Sequence, residues 1–313
     1  MKRYNFKGII PAVVTPMKKE DEIDFDAIDS YFEWIIQQGV VGLAVNVDTG
    51  EGPTLNRGER EEIVELAREN LGPSGMLVAG ALGSSTKDVK TEAIIAREAG
   101  ADIALVFPNT AFRGSPLSPD DLKNYYKEIA EYAEIDLMLF LLQDALGGIE
   151  YDKASMSAIA SLDRLVAVKE ATFDISKYKD TMSFFHKMEH LHSRKIAFMT
   201  GNDNFIFESF LWGCDGALIG AAAQDTKRMA ECFQYCSNEE WGKAVELANG
   251  FQPLVDEVFS LPVRNYRARL KTCLYLQGVI PNKIVRPPLV EVPDEKLDFW
   301  RQVLRASGLE VKR

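Results

Sequence analysis

Eight times between the N-terminus and about residue 222, a short apolar run is followed by a longer amphipathic stretch, which is the pattern of repeated βα units. The runs are Gly8–Val14, Gly42–Val47, Met76–Ala79, Ile103–Phe107, Leu137–Leu142, Leu165–Val168, Ile196–Met199 and Gly216–Ile219. Continuous rather than alternating apolar runs predict strands buried on both faces, as a parallel sheet covered by helices requires. Ser84-Ser85-Thr86 and Ser118-Pro119 supply helix N-caps, and Gly72 and Gly100 stand where helices should stop. The fold class this predicts is α/β, a (β/α)8 TIM barrel. Such a barrel takes about 250 residues with its loops, yet the eighth run ends at Ile219. The rest reads as helical. Met229, Cys232, Phe233 and Cys236 form one stripe, and Ala244, Leu247, Ala248 and Phe251 another, with Pro281, Pro287, Pro288 and Pro293 marking loops. We therefore divide the chain into a barrel over 1–225 and, over 226–313, the last barrel helix with a small helical C-terminal subdomain. A doubly wound open sheet is the alternative, but Thr15-Pro16-Met17 stands where a Gly-rich phosphate loop would open the first βα turn.

Composition narrows the partner. The 313 residues are 46% hydrophobic, ample for a large core, and carry a net charge of −11 from 36 basic and 47 acidic side chains. That balance repels polyphosphate, so nucleic acid is not an expected partner. No run approaches the roughly 18 apolar residues of a membrane span, so a soluble, cytoplasmic protein with a small-molecule partner is expected. Cys214, Cys232, Cys236 and Cys273 show no paired spacing and fit a reducing compartment. Cys232 and Cys236, one helical turn apart, read as small apolar helix residues, and His186 and His190, with His192 beside them, as a solvated helix face. No metal or cofactor is assigned.

In a barrel the reactive residues lie at the C-terminal ends of the strands and in the loops after them. Lys169 directly follows Leu165-Val166-Ala167-Val168, so its stem should emerge from the core at the barrel mouth. Partial desolvation disfavours its charged form, and a neutral amine is what attacks a ketone at neutral pH. Glu170, adjacent on a strand, should point to the opposite face. The segment Asp48-Thr49-Gly50-Glu51 has two readings, a capped helix-approach loop or a backbone-amide nest for a carboxylate with the Thr49 hydroxyl donating.

A further set of segments gives the chain a resemblance. Gly8-Ile9-Ile10-Pro11-Ala12-Val13-Val14-Thr15-Pro16, Asp48-Thr49-Gly50-Glu51 with Thr54-Leu55 and Glu59-Arg60, Ala99-Gly100-Ala101-Asp102 leading to Val106 and Pro108, Val168-Lys169-Glu170-Ala171 and Gly201-Asn202-Asp203 follow in order. Together they resemble the dihydrodipicolinate synthase and N-acetylneuraminate lyase family over nearly the whole chain. The resemblance implies that Lys169 condenses with a 2-keto acid as an imine and that Thr49 and the Gly50 backbone bind its carboxylate. It also implies Gly201 and Asn202 at the site, and a homo-oligomer, a dimer or a tetramer built from dimers.

The departures from that family are chemical. Asp48 replaces the first threonine of its Gly-Thr-Thr-Gly-Glu segment. The proton-shuttling tyrosine at the end of strand five falls on Leu141, or on Phe140 after a one-residue shift; the second tyrosine of the relay is matched by Thr110, and a substrate-binding arginine by Leu146. Neither Leu141 nor Phe140 has a hydroxyl. Asp48 is the expected replacement acid/base, with Asp144 and Glu170 behind it, since such a role is worth about 10²- to 10⁴-fold in rate. Three functions follow. The first is a lyase of aldolase or dehydratase type acting on a 2-keto acid, such as pyruvate or a keto-deoxy sugar acid, through Lys169. The second is an altered barrel that binds a keto acid or sugar acid without lyase activity. The third is metal-assisted chemistry on Asp48, Glu51, Asp144 and Asp203.

Overall fold

The structure is a computed structural model that describes residues 4–114, 118–192 and 194–313, without the side chains of 189–192. Strands and helices alternate: β1 (Ile9–Pro11), α1 (Phe25–Ile36), β2 (Gly42–Val45), α2 (Arg57–Leu71), β3 (Met76–Ala81), α3 (Thr86–Glu98), β4 (Ile103–Val106) and α4 (Pro119–Ala133). The second half continues with β5 (Asp136–Leu142), α5 (Lys153–Ala160), β6 (Leu165–Ala171), α6 (Ile175–His192), β7 (Ala197–Thr200), α7 (Ile206–Leu211), β8 (Gly216–Ile219) and α8 (Thr226–Ser237). All strand pairs are parallel, in the order β1-β8-β7-β6-β5-β4-β3-β2. The ring closes between β1 and β2 through the Ala12–Ala44 bridge, where the Val13 N–H donates to the Ala44 carbonyl at 3.1 Å. The expected (β/α)8 barrel is the observed one.

Side chains on each strand alternate between two cores. On β5, Met138, Phe140 and Leu142 pack inside the barrel with Ile10, Val78, Leu105 and Met199, whereas Leu137, Leu139 and Leu141 face the shell of helices. Both cores are apolar, which is why the strands read as unbroken runs. Ser85 caps α3 in a reciprocal box with Asp88, and Ser118 caps α4 by accepting from the Asp121 N–H with Pro119 in the first turn. Gly72 ends α2 at φ +63°, a backbone angle that side chains with a Cβ rarely adopt.

One boundary differs from the expectation in a way that matters. Strand six runs on to Ala171, its ladder with β5 extending to the pair Leu142–Ala171. Lys169 and Glu170 are therefore strand residues, not the first residues after the strand. A charged side chain does not end a strand when its own face offers a neighbour: the Lys169 amine lies over the Phe140 ring, and the Glu170 carboxylate accepts from Asn202. Of the histidine trio on α6, the His190 and His192 side chains lie outside the described residues.

Beyond α8, whose stripe Met229, Cys232, Phe233 and Cys236 is buried as read, come α9 (Trp241–Val258), α10 (Tyr266–Leu276) and α11 (Leu297–Ala306). Cys214, Cys232, Cys236 and Cys273 are free thiols, all buried. Among the described residues no helix is long and apolar enough to cross a membrane. The element that shapes the site is α10, which reaches the loop after β2.

Candidate active site

Lys169 is only 6% exposed, with β5 on one side and β7 on the other, and pairs in register with Phe140 and Met199. Its amine lies over the Phe140 ring, 4.4 Å from the centroid. The stem has room because residue 201 is glycine: a Cβ there would come within 2.7 Å of Lys169 Cε and 2.8 Å of the Ala171 Cβ. Burial pushes the amine down to about 8, and the carboxylates of Asp203 and Asp48 hold part of that shift back. Among the described residues no salt bridge engages it.

The amine opens on a narrow cavity of about 30 Å³, room for on the order of two waters. Its lining includes Asp48, Thr49, Gln143, Lys169, Asp203 and Tyr266, with Phe140, Leu142, Leu146, Phe173 and Phe259 as apolar wall. The loop after β2 thus meets β6 and α10 in one place. Tyr266 donates its hydroxyl to Asp48 Oδ2 at 2.7 Å and stands 3.3 Å from the Thr49 hydroxyl. Arg267 donates through Nε to the Asp48 carbonyl at 2.7 Å, and its guanidinium pairs with the Asp48 carboxylate. One turn further along α10, Lys271 pairs with Glu51, both side chains fully buried. Burial and the Asp48 carboxylate hold the Tyr266 phenol well above its ordinary range, so the proton stays on oxygen.

Asp203, on the opposite wall, is held from behind: its Oδ1 accepts the Ala221 N–H at 2.7 Å and its Oδ2 the Gly220 N–H at 3.4 Å. Burial raises its carboxyl, against the pull of those N–H groups and of Lys169. The lysine is lowered and the aspartate raised for one reason, removal of both from water.

Of the residues expected at the site, Lys169, Asp48, Thr49 and Gly201 line the cavity. Gly50 lies just behind them, its carbonyl accepting the Thr15 hydroxyl at 2.7 Å. Asn202 does not reach the cavity, because its amide is consumed elsewhere. It donates to the Glu170 carbonyl at 2.8 Å and to the Glu170 carboxylate, and accepts the Phe173 N–H at 2.7 Å. Thr110 is exposed on a short turn after β4, capped by the Asn109 side chain. Leu141 faces the helix shell, so the residue on the cavity side of β5 is Phe140, as the one-residue shift had it. Glu170 points away from Lys169 as alternation requires, and accepts from the Thr172 N–H at 3.3 Å. Burial raises it to about 7.

The four acids considered as a metal set do not converge: Asp48 is held by Arg267, Glu51 by Lys271 and Asp203 by two backbone N–H groups, while Asp144 is exposed. Sequence reasoning missed Tyr266, Arg267, Phe173 and Phe259. The helical period placed Tyr266 and Arg267 on a C-terminal helix, and nothing in that period says that the helix end docks on the barrel mouth.

A sequence model of the dihydrodipicolinate synthetase family matches residues 5–307. The chain is 29% identical over 307 residues to a 4-hydroxy-tetrahydrodipicolinate synthase of Oceanobacillus iheyensis, covering 96% of this chain and 97% of that one. A 4-hydroxy-tetrahydrodipicolinate synthase of Methanocaldococcus jannaschii is 26% identical over 305 residues, with 97% and 99% covered. Among solved structures, the dihydrodipicolinate synthase of Thermotoga maritima superposes with a TM-score of 0.86 at 26% identity, covering 98% of this chain and all of that one. With the barrel, the buried strand-six lysine and a match across nearly its full length, the chain belongs to the dihydrodipicolinate synthetase family.

Proposed function

We propose that this protein is a lyase of aldolase or dehydratase type that binds a 2-keto acid as an imine on Lys169. The observation that carries the reading is the Lys169 amine: buried at the barrel mouth, over an aromatic ring, and lowered to about 8. At neutral pH a usable fraction is then the free base, far more than for a solvated lysine near 10.4.

The neutral amine attacks the ketone carbon, forming a C–N bond as the carbonyl electron pair moves to oxygen. The nitrogen then carries an extra proton and the oxygen lacks one. Tyr266 relays the proton in one concerted exchange, swinging its own proton from Asp48 to the substrate oxygen as it takes up the one leaving nitrogen, so that it stays neutral throughout, while Arg267 fixes Asp48. Asp48, the residue expected to act alone, is assigned here as the anchor and acceptor of that pair. Loss of water from the carbinolamine gives the imine, whose electron-withdrawing nitrogen lets the neighbouring C–C or C–O bond break. Thr49 donates its hydroxyl to the substrate carboxylate, together with the Thr49 and Gly50 N–H groups. In solution the same reading has a homo-oligomer, dimer or tetramer, as the family resemblance implies, measurable by light scattering.

The test is trapping: incubate the protein with pyruvate and a panel of 2-keto acids, reduce with borohydride, and locate the adduct by mass spectrometry. A reduced adduct on Lys169 is the expected result. Absence of any adduct across the panel sinks the imine.

A further inference from the structure

The cavity is chemically divided. Asp48, Thr49, Asp203 and Tyr266 gather around Lys169 with Phe140 against its amine, whereas the remaining wall is built largely from Leu142, Leu146, Phe173 and Phe259. An aromatic ladder links the two halves: Phe259 stacks on Tyr266 at 4.9 Å and 20°, and Phe173 lies 6.2 Å from Phe259. Phe173 holds φ +59°, an uncommon angle for a bulky residue, and its backbone is fastened there by Asn202, whose side chain accepts the Phe173 N–H. The fold therefore spends backbone strain to keep that ring in the wall.

Among the described residues, Lys169 is the one cationic side chain in the lining, and the nearest guanidinium on α10, Arg267, is taken by Asp48. Arg113, whose terminal nitrogen would lie 3.2 Å from a Cβ on Gly147, belongs to the exposed turn after β4, where an ion pair contributes little. A carboxylate seated against Leu142, Leu146 and Phe173 would lose its hydration with no cation in the lining to neutralise it and at most one amide hydrogen bond in return, a cost that selects against charged substrates. One polar feature interrupts the wall: Gln143 Nε2 is buried and has no hydrogen-bond partner among the described residues. An unused buried donor favours a ligand that brings an acceptor oxygen to it.

Building on the imine reading above, we propose that the part of the substrate beyond the keto-acid carbons, too large for the small cavity to enclose and so lying where it opens to solvent, is uncharged and apolar, an aromatic or branched aliphatic group, with an oxygen received by Gln143. The corresponding substrate is a 4-hydroxy-2-keto acid bearing that group at C4, and its cleavage partner is an apolar aldehyde. In the imine on Lys169 the C3–C4 bond breaks, its electron pair moves into the iminium to give an enamine, and the C4 oxygen becomes the aldehyde carbonyl. The proton lost from that oxygen is balanced by the proton gained at C3, and water then releases the keto acid from Lys169.

The experiment measures kcat/KM for addition of pyruvate to benzaldehyde and 3-methylbutanal against glyoxylate and succinic semialdehyde. The apolar aldehydes are expected to lead by about 10²-fold. Leu146→Arg, read as the ratio of the two aldehyde classes within one variant, is expected to move that preference at least tenfold toward the carboxylates; a reading by ratio is immune to a general loss of activity. An equal or opposite wild-type preference overturns the proposal, as does a carboxylate preference that Arg113→Ala abolishes. If pyruvate gives no adduct at all, calorimetry with 4-hydroxy-2-keto acids carrying phenyl or carboxyl groups at C4 still decides it: tighter phenyl binding upholds the apolar subsite without the imine, and tighter carboxyl binding overturns it.

Discussion

The Lys169 amine sits 4.4 Å from the centroid of the Phe140 ring, and the two residues are register partners on adjacent strands. The ring acts on the amine in two opposed ways. Its face attracts the ammonium, an effect of about 0.5 to 2 kcal/mol, and its bulk keeps water from it. Desolvation is the larger influence on Lys169, so water exclusion wins. Phe140→Ala is accordingly expected to raise the midpoint of the pH–rate profile for keto-acid trapping, from about 8 toward the ordinary lysine range. A midpoint that falls would mean that the ring's attraction for the ammonium is the larger effect.

The same profile reads the two carboxylates. Asp203 and Asp48 each favour the ammonium, so removing either charge should lower the lysine midpoint below about 8. Asp203→Asn is the cleaner variant, since the amide oxygen can still accept the Ala221 N–H. Initial adduct formation, followed against pH by reductive trapping, shows the shift. An upward move would exclude Asp203 as a through-space partner of the lysine.

Tyr266→Phe keeps the stack on Phe259 and deletes the hydroxyl that donates to Asp48. Turnover should fall by about 10²- to 10⁴-fold, the usual worth of a positioned proton-transfer group, with KM changing far less. Asp48→Asn should slow the same step. If Asp48→Asn left turnover of the true substrate unchanged, the pair would have no part in proton transfer.

The barrel was legible because its evidence is local and repeated: eight apolar runs and the caps at Ser85 and Ser118 state the same architecture many times over. Lys169 was legible for a related reason, since a charge at the end of a buried run has few places to go. Tyr266 was not. Its contact with Asp48 spans 218 residues, and helical periodicity carries no information about which helix end covers which loop. Asn202 and Thr110, expected at the site, lie outside the cavity lining. A polar residue beside a site motif is as readily used to brace the backbone as to face a ligand, and Asn202 braces Glu170 and Phe173. The register of β5, where one residue decides between Leu141 and Phe140, was settled only by which face each side chain takes.

Glu51 and Lys271 form a fully buried ion pair that fastens α10 to the loop after β2, with Lys271 also donating to the Ile284 carbonyl at 2.7 Å. Removing one partner leaves the other charge stranded. Lys271→Met should destabilise the fold by about 3 to 5 kcal/mol in urea unfolding, and adding Glu51→Gln should return part of that loss. Strictly additive single and double variants would show that the pair is uncoupled.

Glu170 supplies a pH dependence of stability that is separable from catalysis. Burial raises its carboxyl from 4.5 to about 7 in the folded protein, while Thr172 and Asn202 hydrogen-bond the charged form and limit the rise. An acid whose folded value lies above its unfolded value holds its proton more tightly when folded. Between about pH 4.5 and 7 the native state thus binds more protons than the unfolded chain, and stability falls as pH rises through that window, then levels off. The amplitude is on the order of 1 to 3 kcal/mol. Glu170→Gln cannot titrate, yet its oxygen can accept from Asn202 and its NH₂ can donate to the Thr172 hydroxyl. The difference between wild-type and variant unfolding free energies, measured in urea from pH 5 to 8, isolates this group from Asp203, which is raised for the same reason. The wild type should lose stability relative to the variant as pH rises to about 7. A difference that stays flat would show Glu170 to be ionised in the folded protein throughout, with Asn202 and Thr172 outweighing its burial.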